Sequence, residues 1–163
     1  AHAIMLALEG IPGIYIHSML ATQNDYDRLE LTKHSRSINR HKWSLPALEL
    51  QLEDQASHHS IALANMKRLL NIRSQQTAFH PNAVQFTLHL GDDVFAFWRQ
   101  SISRDQSIFC IHNVTDQRVS IPVSSVNLIG LDIWRDLISE TEYSANDKCI
   151  ELEPYGFVWL SNK

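Results

Sequence analysis

Gly10-Ile11-Pro12-Gly13-Ile14-Tyr15-Ile16 is the stretch whose reading decides the fold. It is short, apolar and partly β-branched, which predicts a strand buried on both faces, as in a parallel sheet. Upstream, residues 1–9 (AHAIMLALE) are rich in Ala, Leu and Met, a composition that favours helix. Gly10 can cap that helix and Pro12 prevents its continuation. Downstream, residues 17–55 are long, polar and irregular, and so long a loop in a compact domain is usually functional. It contains His34-Ser-Arg36-Ser-Ile-Asn39-Arg40-His41, a polar cluster whose two arginines suit an oxygen-rich ligand. Ser44-Leu-Pro-Ala-Leu-Glu opens a short helix inside the same stretch.

A buried strand that delivers a polar loop is the way an α/β barrel assembles its active site. The chain holds one such unit, so it reads as the back end of a barrel. Residues 56–77 follow as an amphipathic helix. Ala62, Met66, Leu69 and Arg73 share one side of it, and Leu70 and Ile72 widen the apolar face. Lys67, Arg68, Arg73 and Gln76 suit water by their polarity, and His80-Pro81-Asn82 ends the helix.

Past Pro81 the texture changes. Gln85–Leu90 alternates, Gly91-Asp92-Asp93 turns, and Val94–Arg99 resumes the alternation, which predicts a hairpin. Ser107–His112 and Arg118–Val123 read as a second antiparallel pair. Leu131–Asp136, Cys149–Leu152 and Gly156–Leu160 add further short strands. Their spacing suits a β-sandwich. The expected organisation is therefore an α/β fragment over residues 1–82, followed by an all-β antiparallel sandwich over 83–163.

Of the 163 residues, 44% are hydrophobic and 20% charged, an ordinary globular balance. The net charge of −4 argues against a nucleic-acid surface. Ile4–Leu20 is the longest apolar candidate, and Glu9, Gly10, Pro12, Gly13 and His17 break it, so no membrane span is expected. Cys110 and Cys149 each lie in an apolar run and read as reduced thiols, which fits a cytoplasmic location. His58-His59 point different ways on a helix, and His34 and His41 lack a third ligand at useful spacing, so neither pair resembles a zinc motif.

The order of these segments resembles the C-terminal part of the α-amylase family of glycoside hydrolases. There a G-x-P-x-x-Y pattern marks the last strand of a TIM barrel; here it stands as Gly10-Ile-Pro12-Gly-Ile-Tyr15. A final barrel helix and a β-sandwich called domain C follow. The family's W-x-D-L and P-Y-x-x-x-W-L segments stand here as Trp134-Arg-Asp136-Leu137 and Pro154-Tyr155-Gly-Phe-Val-Trp159-Leu160. Arg36-Ser-Ile-Asn39-Arg40-His41 resembles the R-x-I-N-R-H run of sucrose phosphorylases and related glucosyl phosphorylases. Asn24-Asp25 is similar to an N-D pair in the same loop. Ordinary α-amylases continue the strand motif to a glycine and a glutamate, where this chain has His17 and Met19.

The resemblance implies that Arg36 closes the base of a glucosyl pocket and that Arg40 lies toward the acceptor. Asn39 and His41 would orient the arginines or touch the sugar, and Asp25 belongs to the same candidate binding set. Each has a plainer reading as well. The arginines would then bridge to Asp25, Asp27 or Glu30, and Asn39 and His41 would satisfy loop backbone groups. Tyr15 reads as core, and Trp43 as either a sugar platform or packing under the loop. Trp98, Trp134 and Trp159 read as sandwich core. The family's catalytic aspartate and glutamate would lie upstream of this segment, so the isolated chain is expected to be inactive.

The expected partners are a sugar substrate and phosphate in a longer parent, the barrel portion that precedes this segment, and a second copy of the chain. No cofactor or metal is implied. The alternatives are a sucrose hydrolase or amylosucrase fragment, or a stand-alone β-sandwich that binds carbohydrate or another protein.

Overall fold

Alternation over residues 85–90 and 94–99 folds into the hairpin it predicts. β1 (Val84–Leu88) and β2 (Val94–Gln100) pair antiparallel, with Phe86 opposite Trp98. Gly91 lies between them at a φ of +112°, which side-chain-bearing residues rarely adopt. The computed structural model describes residues 1–163. In it the sheet continues through β3 (Ser107–Asn113), β8 (Phe157–Ser161), β5 (Ile133–Asp136) and β6 (Glu142–Ser144). The strand order is β1-β2-β3-β8-β5-β6. A second sheet pairs β4 (Val119–Pro122) with β7 (Cys149–Leu152). Val94, Ala96, Phe109, Ile111, Val158 and Leu160 of the large sheet meet Ile121, Ile150 and Leu152 of the small one in one buried core. This is a two-layer antiparallel sandwich.

The expected pairing of residues 107–112 with 118–123 does not form. β3 is buried along its whole length and takes β2 and β8 as neighbours, while β4 pairs with β7. A fully buried strand needs a partner on each edge. The four-residue β4, with two exposed positions, crosses to the other sheet. A short α6 (Val123–Val126) follows it. The sequence carries no signal for β6, because three residues, Glu142-Tyr-Ser, are too few to show a period.

The family-like motifs have clear structural work. Buried Asp136 accepts from the backbone N–H groups of Ile138 (3.2 Å), Ser139 (2.9 Å) and Trp159 (2.9 Å), which ties β5 to β8. Trp134 is buried and its Nε1 donates to Asn127 at 3.1 Å. A Cβ on Gly156 would stand 2.8 Å from the Glu153 carbonyl oxygen, so this position before β8 admits only glycine without a shift. Trp159 is buried on the opposite sheet face, against Phe79 at 4.9 Å.

That opposite face also carries Phe97, Arg99, Cys110 and His112. α1 (His2–Ala7), predicted from its composition, packs there and buries Ala3, Leu6 and Ala7. Its terminal carbonyls are met by two buried arginines. Arg99 Nη1 donates to Ala7 at 2.7 Å, and Nη2 donates to His80 at 3.0 Å. Arg73, at the end of α5 (His58–Ser74), donates to the carbonyls of Leu6 and Gly10. A helix C-terminus is electronegative and has orphan carbonyls, so cations suit it. Both guanidiniums also lie over the Phe79 ring, at 5.6 and 5.9 Å. Burial pushes both below the usual arginine range. Arg73 thus follows its helical spacing inward rather than its charge outward.

Residues 11–16 correct the opening expectation. Residues 11–15 have no regular structure, Ile16 begins α2 (Ile16–Met19), and Ile11 is 85% exposed. An apolar strand persists only where neighbouring strands fill its edges. No strand precedes β1 in this chain to do so. Tyr15, read as core, is exposed. The stretch read as one irregular loop holds α3 (Tyr26–Thr32), a 3-10 turn (Ser35–Asn39) and the expected short helix α4 (Leu45–Glu53). By its contacts the chain divides into two units, residues 1–12 with 69–163, and residues 13–68. No helix is long and apolar enough to cross a membrane.

Candidate functional site

All candidate residues lie within the unit of residues 13–68. The organising side chain is Asp25, the N-cap of α3. Its Oδ1 accepts from the Arg28 backbone N–H at 2.8 Å, which satisfies one orphan donor of the helix. Its Oδ2 stands 2.8 Å from His41 Nδ1. Its own backbone N–H donates to the Ile38 carbonyl at 2.6 Å. The Arg28 N–H first, then the His41 ring, hold the Asp25 carboxyl below its ordinary range. A carboxylate in that state only accepts, which assigns the proton to His41 Nδ1 and leaves Nε2 as the other ring atom.

The 3-10 turn that carries the arginines is tied at several points. His34 Nδ1 accepts from the Arg36 N–H at 3.3 Å as its cap. The Tyr15 hydroxyl donates to the Asn39 carbonyl at 3.0 Å; the Thr32 hydroxyl donates to the Arg28 carbonyl at 2.8 Å and accepts from the Ser37 hydroxyl at 2.6 Å. Arg36 and Arg40 are exposed and form no ion pair. The plainer reading, in which they bridge to Asp25, Asp27 or Glu30, is not met: neither arginine pairs with any of the three, and the Asp25 carboxylate is taken by the Arg28 N–H and His41.

Beside Asp25 and His41 lies a cavity of about 360 Å³, also lined by Thr22, Asn24, Trp43 and His59. Trp43 Nε1 donates to the Thr22 hydroxyl at 3.0 Å, and its ring meets His41 and His59 edge-on at 4.8 and 5.0 Å. His59 is buried, with Nδ1 donating to the Leu20 carbonyl at 2.6 Å. The fold therefore brings Asp25 and His41 together at the cavity. Arg36, Asn39 and Arg40 stand on the adjoining turn and do not line it. Thr22 carries no signal in the sequence, and His59 drew notice there only as a metal ligand, a role its spacing does not suit. For His59 a signal existed: it lies seven residues before Met66, on the buried stripe of α5.

Residues 84–159 match the family described as the maltogenic amylase C-terminal domain. Glucosylglycerate phosphorylase of Escherichia coli strain K12 is 32% identical over 161 residues, which are 98% of this chain and 27% of that protein. The chain belongs to the α-amylase family. Glucosylglycerate phosphorylase from Allomeiothermus silvanus is 40% identical over 129 residues, 79% of this chain and 23% of its own length. Sucrose 6(F)-phosphate phosphorylase from Thermoanaerobacterium thermosaccharolyticum is 30% identical over 80 residues, 49% of this chain and 15% of its own. Among solved structures, a MutB mutant in complex with the substrate sucrose superposes with a TM-score of 0.66 at 17% identity, over 98% of this chain and 37% of that one. At that identity the likeness speaks for the fold. The chain spans about a quarter of the length of the curated phosphorylases it matches. Its sandwich is the domain C of the α-amylase family.

Proposed function

We propose that this chain is the C-terminal part of a retaining α-glucosyl phosphorylase, with inorganic phosphate as the acceptor. Residues 1–82 would complete the catalytic barrel and 83–163 form domain C. The observation that carries this reading is the turn bearing Arg36 and Arg40. Two permanently charged donor forks are exposed four residues apart, with no acid paired to them, on the turn next to the cavity that Asp25, His41 and Trp43 line. Planar guanidinium groups match phosphate and carboxylate oxygens, and two of them on one turn without an acid partner leave both forks open to such a ligand.

In the whole enzyme an upstream aspartate would attack the anomeric carbon as the glycosidic bond breaks. A glutamic acid would protonate the departing oxygen. A phosphate oxygen then attacks the same carbon, the aspartate leaves, and the glutamate takes the phosphate's proton. Arg36 would hold the glucosyl unit and Arg40 the incoming phosphate, with Asn39 on the same turn.

The donor we favour is α-glucosylglycerate, because relatives at 40% and 32% identity bear the name glucosylglycerate phosphorylase. A sucrose-type donor is the second reading, supported by the relative named sucrose 6(F)-phosphate phosphorylase. The test gives the full-length polypeptide α-glucosylglycerate, sucrose and sucrose 6-phosphate in separate reactions with phosphate. Preference is read as kcat/KM. A higher value for sucrose would overturn the favoured donor.

A further inference from the structure

We infer that the Asp25–His41 pair is a clamp that positions Arg40, and that His41 serves phosphate binding through that arginine rather than by touching the ligand. Two contacts made by one residue carry the inference. The Asp25 backbone N–H donates to the Ile38 carbonyl at 2.6 Å, two residues before Arg40. The Asp25 carboxylate holds His41, the residue after Arg40, at 2.8 Å. Asp25 therefore grips the chain on both sides of Arg40. It is fixed in turn at the start of α3 by the Arg28 N–H. Arg40 itself closes the turn, its N–H donating to the Ser37 carbonyl at 3.2 Å.

The clamp answers a physical problem. A short 3-10 turn has weak internal hydrogen bonds and does not hold its shape alone. An exposed arginine on such a turn loses ordering entropy each time it binds an anion. Fixing the backbone on either side of Arg40 lowers that cost. Trp43, edge-on to His41 at 4.8 Å and hydrogen-bonded to Thr22, limits the imidazole from the other side.

The inference rests on the phosphorylase reading for its ligand, and on geometry alone for the clamp. The test therefore has two readouts on the full-length polypeptide. One is amide hydrogen exchange in residues 34–42. The other is the KM for inorganic phosphate, with donor KM and kcat followed alongside. His41→Ala should speed exchange in that segment and raise phosphate KM by about tenfold, with a much smaller change in kcat. His41→Asn places an amide N–H near the position of Nδ1 and removes Nε2. It should bring exchange and phosphate KM back to within about threefold of the wild type.

Unchanged exchange in His41→Ala would overturn the clamp. Faster exchange with an unmoved phosphate KM would overturn its service to Arg40. Restored exchange in His41→Asn without restored KM would mean that His41 touches the ligand itself. A wild-type enzyme that ignores phosphate would refute the phosphorylase reading and the ligand half of the inference, while exchange would still decide the clamp.

Discussion

Four arginines of this chain show how differently one side chain is used. Arg73 and Arg99 are buried and answered by backbone carbonyls, while Arg36 and Arg40 are exposed and answered by no ion pair. In the sequence the second pair stood out by its motif and spacing. The first pair did not, since nothing local says that a cation will cap a helix made of distant residues. Arg36→Ala in the full-length polypeptide should cut turnover about a hundredfold, the cost of one lost charged donor at a reacting sugar. Its melting temperature should stay within about 2 °C, because the side chain is exposed. Wild-type turnover would sink the site assignment. Arg99→Met should instead cost about 3 kcal/mol in urea unfolding, since the Ala7, His80 and Ala83 carbonyls lose their donor. A cost below about 1 kcal/mol would contradict that role.

His112 adds a pH signature. Burial pushes its pKa down to about 4 from an ordinary 6.5, and its Nδ1 donates to the Phe95 carbonyl at 3.2 Å. The folded state therefore holds the neutral ring, and the unfolded chain takes up the proton first. Stability from this group is full above pH 6.5 and is lost as pH falls towards 4. The loss amounts to about 3 kcal/mol. Unfolding experiments across that window should show the fall, and His112→Gln should flatten it; identical slopes would refute the assignment.

At the scale of elements, local pattern succeeded where an element has its own neighbours. The β1–β2 hairpin is adjacent in sequence and folded as read. Residues 11–16 have the composition of a buried strand but no neighbouring strand before β1, so they take no strand form here. The β3–β4 reading failed because pairing order depends on burial of the whole sheet. The turn of Arg36 and Arg40 was legible as a motif, but its attachment to Asp25 was not. That link joins the start of α3 to Ile38 through a backbone hydrogen bond and to His41, sixteen residues away, through a side-chain one. Gly156→Ala tests the entry to β8. The added Cβ meets the Glu153 carbonyl oxygen at 2.8 Å, so the variant should lose about 1–3 kcal/mol in denaturant unfolding. An unchanged midpoint would show that the backbone yields freely.

For the whole molecule, the sandwich was readable from its strand spacing and closing motifs. The proposed chemistry was readable only through a family likeness, because the two carboxyl groups that retaining glycosyl transfer needs would lie in the part of the enzyme that precedes this segment. What this segment is proposed to contribute to a complete enzyme is its arginine turn. The most direct measurement follows the full-length polypeptide with α-glucosylglycerate by proton NMR, with and without inorganic phosphate. The account predicts α-glucose 1-phosphate, formed with retained anomeric configuration and in proportion to the phosphate consumed. Release of free glucose at a rate indifferent to phosphate would contradict it.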